Sequence, residues 1–408
     1  MTYPIEEIRG HFPILQRMVY ETKPLVYLDN AATTQAPVTV LTEIETAYST
    51  RRAHVHRGVH CLSQEATSAM EQGREAARRL INAQSTDEVI FTSGTTESIN
   101  LVAASYGERF LTEGDEVILT VMEHHSNIVP WQLLQARKGI VIKAVPILPD
   151  GSLDMETYES MFTSRTRIVS VCHVSNVLGT VNPIRDMARI AHSHGAVICV
   201  DGAQAIAHRR VDVRALDVDF YAFSAHKMYG PTGIGILYGR RELLQDMPPY
   251  QGGGEMIGHV SLTEGTTWAE LPYKFEAGTP DFIGAAAMAR AVDFMDAIGI
   301  EAMASHEKDL LDYATARMME IPGMRIFGSA PGKEAVISFL IGDAHHYDTG
   351  ILLDRLGIAV RTGHHCAQPL MEALGIEGTV RVSMAAYTSR QDIDAFIAAL
   401  HRIAPMLS

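Results

Sequence analysis

Cysteine is scarce in this chain: the four present, Cys61, Cys172, Cys199 and Cys366, are scattered, and no two stand in a C-x-x-C spacing. Neither a zinc ribbon nor a dithiol redox motif is therefore supported. No stretch reaches the ~18 uninterrupted apolar residues of a membrane span. A basic run is missing too, and 34 lysines and arginines stand against 48 acids for a net charge of −14. That balance argues against nucleic acid or an anionic membrane as a partner. Internal repeats, low-complexity segments and Pro/Gly/Ser linkers are absent. The first residues, Met1-Thr-Tyr-Pro-Ile-Glu-Glu-Ile-Arg9, lack a positive region followed by an apolar one, which predicts no secretory signal and a cytoplasmic location.

What is present suits a large globular protein. With 408 residues and 47% hydrophobic content, the chain can bury a large core and form two or more domains. Strand-like runs near residues 88, 117, 141, 167, 196, 219 and 234 alternate with helical patterns. This predicts an α/β fold with a mostly parallel, doubly wound, seven-stranded sheet flanked by helices. From about residue 285 the texture changes to helix, short strands, helix: runs at 285–298 and 301–319, a strand at 335–341 and a closing helix at 392–407. Residues 1 to about 20 read as a short amphipathic helix, with Ile5, Ile8 and Phe12 on one face, leading into an arm. The expected division is a large domain over 21–284 and a small α+β domain made of 1–20 and 285–408.

Two blocks organise the chain, Asp201-Gly-Ala-Gln204 and Ser224-Ala-His-Lys227, each at the C-terminal end of a strand-like run. Ligands of open parallel sheets collect at that edge. A carboxylate and a lysine about 26 residues apart, one strand–helix–strand repeat, suit pyridoxal phosphate. That cofactor needs a lysine to hold its aldehyde and an acid to keep its ring nitrogen protonated. The plain alternatives are a capping Asp and a solvated Lys. Ser224 and His226 can serve a phosphate, and Gln204 follows Asp201 at helical spacing.

Other blocks add to the pattern. A strand near 88–92 runs into Ser93-Gly-Thr-Thr-Glu-Ser98 and a helix from about 97 to 110, which makes either an anion site or a simple helix cap. It is not a nucleotide P-loop, since the Gly-Lys-Ser/Thr ending is absent. In Glu123-His-His-Ser-Asn127 the two histidines point about 100° apart on a helix and do not easily share one metal. The stretch carrying His54, His56, Arg57 and His60 reads as a loop or, without supporting carboxylates or cysteines, a weak metal candidate. Val26-Tyr-Leu-Asp29 is strand-like and ends in the tight turn Asn30-Ala-Ala-Thr-Thr34. Cys172 and Cys199 fall in apolar runs and read as core residues. Cys366, in Arg361-Thr-Gly-His-His-Cys366, sits beside His365 in a setting that favours thiolate, unless it is an incidental surface cysteine. Arg381 lies inside an apolar strand and needs a partner, either an ion pair or a substrate carboxylate held by its planar fork.

Taken in order from about residue 10 to the C-terminus, these blocks resemble a pyridoxal-phosphate cysteine desulfurase of the SufS type, the second group of NifS-like enzymes. The resemblance implies a fold-type I enzyme that converts L-cysteine to alanine and supplies sulfur for iron–sulfur cluster assembly. It places Lys227 on the aldehyde of pyridoxal 5'-phosphate, Asp201 on the ring nitrogen, His124 over the ring and Asn176 at its phenolic oxygen. It places Thr95 and Thr96 on the phosphate, with Gln204, Ser224 and His226 also on the cofactor. Thr279 reaches the phosphate of the neighbouring subunit, which implies a homodimer with composite sites. Ala31, Asn176, Arg361 and Arg381, with His56 and Arg57 at the approach, face the substrate, and Cys366 takes its sulfur as a persulfide. No metal is implied. The short cysteine block differs from the longer loop of the IscS and NifS type and implies a sulfur-accepting partner of the SufE or SufU kind. Ala344-His-His-Tyr-Asp348 departs from the usual pattern, with His346 where alanine is common. A selenocysteine lyase or cysteine-sulfinate desulfinase on the same scaffold is the rival reading. More distant are an aminotransferase or epimerase of this fold, and a non-catalytic subunit of a cluster-assembly complex.

Overall fold

A computed structural model describes residues 3–407. Residues 1 and 2 of the expected N-terminal helix lie outside the described residues, as does residue 408.

The main sheet is built from β1 (Val89–Thr92), β2 (Glu116–Thr120), β3 (Val141–Val145), β4 (Thr166–Cys172), β5 (Val197–Asp201), β6 (Phe220–Ser224) and β7 (Gly235–Gly239). These are the seven strands foreseen from the apolar runs. Their spatial order is β1-β7-β6-β5-β4-β2-β3. Strands β2 to β6 pair in parallel, and β7 runs antiparallel to both β6 and β1. The central strands are buried almost throughout because helices cover both faces, so they read as continuous apolar runs rather than alternating ones.

The register decides where the polar strand ends meet. Gly235 pairs with Thr92 on one side and Ser224 on the other, which brings the loop after β1 beside the end of β6. A Cβ at Gly235 would lie 2.5 Å from the Gly94 Cα, so only glycine permits this approach. Gly202 is under the same constraint, because a Cβ there would lie 2.0 Å from the Tyr221 ring.

A second sheet comprises β8 (Met324–Phe327), β9 (Val336–Ile341), β10 (Arg361–Gly363) and β11 (Thr379–Ser383), antiparallel in the order β8-β9-β11-β10. Val26–Tyr27 pairs in parallel with Ile358–Ala359, and Asp29 bridges to Ser383 at the end of β11. The N-terminal arm is thereby stitched to this sheet. The long helices are α1 (Cys61–Leu80), α2 (Phe282–Ile298), α3 (Ile300–Met318) and α4 (Arg390–Leu407). One large apolar cluster joins β4, β5, α1 and α2, and another joins β9, β11, α3 and α4 with Val26 and Leu28. We propose the large and small domains foreseen above, with Val26 and Leu28 belonging to the smaller and α2 packing in the larger.

Three elements differ from expectation. The N-terminal helix is confined to Ile5–Gly10. The helix expected from 97 begins at Thr95 and passes through a π-turn at Val102–Tyr106 before ending at Phe110. A hairpin of Ile257–Ser261 with Gly265–Trp268 follows the three glycines at 252–254. It buries no full face, so its sequence carries no period-2 signal.

Among the described residues no helix is long and apolar enough to cross a membrane, and no cluster of three potential metal ligands is found.

Arg74 ties the layers together. From α1 its guanidinium donates to both oxygens of Glu276, at 2.6 and 3.0 Å, and to the Val89 carbonyl at 2.8 Å. Glu276 in turn accepts the Phe91 N–H of β1 at 2.7 Å. Replacing Arg74 with Ala strands a buried carboxylate, so the variant should lose ~3–5 kcal/mol of stability in urea unfolding of the cofactor-free protein. Adding Glu276→Leu should recover part of that loss, because the unpaired charge is then gone.

Candidate active site

The C-terminal ends of β5 and β6, the loop after β1, the turn after the N-terminal arm and strands β10 and β11 open onto one cavity of about 210 Å³. Lys227 closes a one-turn 3-10 helix directly after β6. Its Nζ donates to the Ala31 carbonyl at 3.1 Å. Burial pushes the amine down to about 8, with help from the positive charge of Arg381 and against the pull of Asp201. Asp201 ends β5 and accepts the Ala203 N–H at 2.9 Å. Burial raises its carboxyl, while the Ala203 N–H and Lys227 hold it down. Gln204 Nε2 donates to the same Ala31 carbonyl at 2.7 Å, so the small turn is held from two sides.

At the other end of the cavity Ser224 Oγ accepts the Thr95 N–H at 2.8 Å and lies 2.7 Å from Thr95 Oγ1. Thr96 Oγ1 lies 2.7 Å from Ser126 Oγ. These hydroxyls gather at the start of the helix that begins at Thr95, where its N–H groups favour an anion. His226 borders them, with Nδ1 3.2 Å from Thr33 Oγ1. Burial, then the Lys227 charge, brings His226 down to about 4 and His124 to about 3, so both rings are neutral near pH 7.

Arg381 is fully buried on β11. It donates to the Asn176 carbonyl at 2.9 Å and to Asp29 Oδ1 at 3.1 Å, while its Nε lacks a partner among the described residues. The structure shows the ion-pair alternative, with Asp29, and also places the guanidinium on the cavity lining. Arg361 lines the same wall.

Cys366 itself is partly exposed and follows His365, which lines the cavity. Both residues are in the left-handed region, with φ of 52° and 56°, an unfavourable conformation that neighbouring bonds must hold. Asn176 Nδ2 donates to the His365 carbonyl at 2.8 Å, and the His125 N–H donates to the Cys366 carbonyl at 2.7 Å. His125 Nε2 also accepts the Gln368 N–H at 3.2 Å. Burial drives the pKa of His365 well down, and its Nε2 lies 2.9 Å from Thr379 Oγ1, so the ring beside the thiol is neutral.

His56, Arg57 and Thr279 do not reach the cavity within this chain. His56 lies 3.3 Å from Glu71, Arg57 pairs with Glu255 at 3.1 Å, and Thr279 Oγ1 is 3.4 Å from His54. They form a separate polar patch. Sequence reasoning missed Ser126, Cys172, Val174, Ala203 and His365 as cavity residues. Cys172 reaches the cavity as the register partner of Asp201 on the adjacent strand, a pairing that only the fold reveals. Glu123 was passed over as well. It is fully buried, bonded to Thr120 at 2.6 Å and Asn127 at 2.7 Å, and burial raises its carboxyl to about 7.

The donor set fits pyridoxal 5'-phosphate: hydroxyls and a helix start for a phosphate, a buried carboxylate for a ring nitrogen, a buried amine for an aldehyde. The guanidinium of Arg381, on the lining of the cavity, suits the carboxylate of an amino acid.

Comparison with known proteins agrees. Residues 26–396 match the aminotransferase class-V family model. A cysteine desulfurase of Salmonella agona (strain SL483) is 50% identical over 407 residues, covering 100% of both chains. The solved structure of cysteine desulfurase CsdA from Escherichia coli, in an S-sulfonic acid form, superposes with a TM-score of 0.93 at 38% identity, covering 100% of each chain. A cysteine desulfurase from Thermococcus onnurineus NA1 gives a TM-score of 0.94 at 36% identity, covering 100% of this chain and 99% of that one.

The depressed amine makes a pH prediction. Only the neutral form of Lys227 attacks an aldehyde, so its reactive fraction grows with pH and is half complete at about 8. The rate at which the cofactor-free protein captures pyridoxal 5'-phosphate covalently should climb through that pH and level off above it, whereas an ordinary lysine would keep gaining to about 10.4. Arg381→Ala removes a positive neighbour and should move the midpoint upward. Stopped-flow absorbance between pH 6 and 10 reads both.

Proposed function

The chain belongs to the aminotransferase class-V family as a pyridoxal-phosphate-dependent cysteine desulfurase, and on that premise we propose that it passes the sulfur of L-cysteine through Cys366 to an acceptor protein for iron–sulfur cluster assembly. The observation that carries the reading is the convergence of Lys227, Asp201 and Arg381 on one cavity bordered by the anchored His365–Cys366 turn.

Pyridoxal 5'-phosphate, when bound, supplies an electron sink for the carbon next to the substrate amine. Asp201 would keep its ring nitrogen protonated, and Thr95, Thr96 and Ser224 would hold its phosphate. Arg381 takes the substrate carboxylate with its planar fork, which Asp29 and the Asn176 carbonyl orient. Lys227, once displaced, is a base whose pKa of about 8 lies close to working pH, the range where a positioned amine moves the α-proton well. The Cys366 thiolate attacks the substrate sulfur, the sulfur–Cβ bond breaks, its electron pair stays on Cβ, which then takes a proton, and the Lys227 ammonium returns a proton to Cα. The products are alanine and a persulfide on Cys366. A short loop held by Asn176 and His125 presents that persulfide at the surface and supports a SufS-type enzyme that hands sulfur to a partner of the SufE or SufU kind.

The patch of His56, Arg57 and Thr279 is explained if a second copy brings it to its neighbour's cavity, which makes the enzyme a homodimer with composite sites. Thiols kept free, Cys366 among them, suit a reducing cytoplasm.

Single-turnover alanine release from L-cysteine tests the reading. Wild type should form alanine and gain the mass of one sulfur atom on Cys366, while Cys366→Ala should do neither. Full alanine formation by the variant would favour the selenocysteine lyase or sulfinate desulfinase reading instead. Arg381→Ala should raise KM for L-cysteine roughly 10- to 150-fold, the loss of a charged hydrogen bond of about 1.5–3 kcal/mol.

A further inference from the structure

Ser126 stands between two groups that the reaction uses. Its hydroxyl lies 2.7 Å from Thr96 Oγ1 and 3.0 Å from His124 Nδ1. Its backbone N–H points at the same ring nitrogen, at 3.1 Å. A backbone N–H only donates, so His124 Nδ1 must accept, and the proton of the neutral imidazole then sits on Nε2. Burial together with the Lys227 charge keeps the ring neutral, in agreement with this assignment.

We infer that Ser126 is a positioning residue that fixes His124 as its Nε2–H tautomer and couples the basicity of that ring to the filling of the phosphate cradle at Thr96. The inference rests on the cofactor reading above. The coupling follows from counting protons. Thr96 and Ser126 hold two hydroxyl protons between them. With the cradle empty, the Thr96 hydroxyl donates to Ser126 Oγ and the Ser126 hydroxyl donates to His124 Nδ1. When the Thr96 proton turns to a phosphate oxygen, the Ser126 hydroxyl must supply the 2.7 Å contact and donates to Thr96 Oγ1. His124 Nδ1 then keeps the backbone N–H alone. Losing a hydrogen bond that favoured the neutral ring raises its basicity. The imidazole beside Lys227 is thus readied for proton transfer by the arrival of the phosphate.

Nitrogen-15 spectroscopy of histidine-labelled protein tests this, with the His124 signals assigned by their loss in His124→Gln. In the cofactor-free wild type, Nδ1 should give the shift of a hydrogen-bonded acceptor and Nε2 that of a protonated nitrogen. Adding inorganic phosphate should move the Nδ1 signal in wild type and leave it in place in Ser126→Ala. In turnover Ser126→Ala should lose roughly tenfold in kcat, the scale of one hydrogen bond, with KM for L-cysteine within about twofold of wild type. Ser126→Thr keeps a hydroxyl and should return both readouts. A protonated Nδ1 in the cofactor-free wild type, or the same phosphate-induced shift in Ser126→Ala as in wild type, overturns the inference. The cofactor-free spectra do not depend on turnover, so failure of the persulfide reading would leave the tautomer assignment standing.

Discussion

The guanidinium of Arg381 sits where three distant stretches of chain meet. It belongs to β11 of the second sheet, donates to the carbonyl of Asn176 in the loop after β4, and pairs with Asp29 at the end of the N-terminal arm. A fully buried cation without partners is expensive enough that these segments must arrive together. Around it, the Ala31 N–H donates to Ser383 Oγ and the Asn30 amide to the Ser383 carbonyl, so the turn of small residues is clipped to the end of the same strand. That turn then offers the Ala31 carbonyl to both Gln204 and Lys227. The cavity is therefore a junction between the two sheets, and its electrostatics follow from how it is closed.

Closure removes water, and removal of water decides which groups carry charge. Lys227, His124, His226 and His365 are all driven toward their neutral forms, with burial the largest cause in each. Positive charge is left to the arginines, whose intrinsic basicity survives burial. The result is a site with a fixed positive wall for a carboxylate and an uncharged set of nitrogens able to exchange protons. Cys366 lies outside this dry region, on a turn whose strained backbone is held by hydrogen bonds from Asn176 and His125.

Much of this was legible in the order of residues. The central strands of the main sheet announced themselves because fully buried parallel strands are short, apolar and bounded by polar turns. Asp201, Ser224 and Lys227 were readable because parallel sheets put their chemistry at strand ends. Other features left no trace. The hairpin of Ile257–Ser261 and Gly265–Trp268 has too little burial to pattern its sequence. Ser126 looked like one more helix-start serine, and only the distances to Thr96 and His124 set it apart. His365 was read only as a neighbour of the thiol, and its burial against Thr379 became visible in the fold.

Local pattern, then, determined the elements and the residue types at their ends, since hydrophobic periodicity and turn chemistry act over a few neighbours. The tertiary structure decided which of those ends face one another, which side chains lose water, and which protons they keep. Burial and register depend on contacts between residues hundreds of positions apart, as the bond from Arg381 to Asp29 illustrates, and no local pattern carries that information.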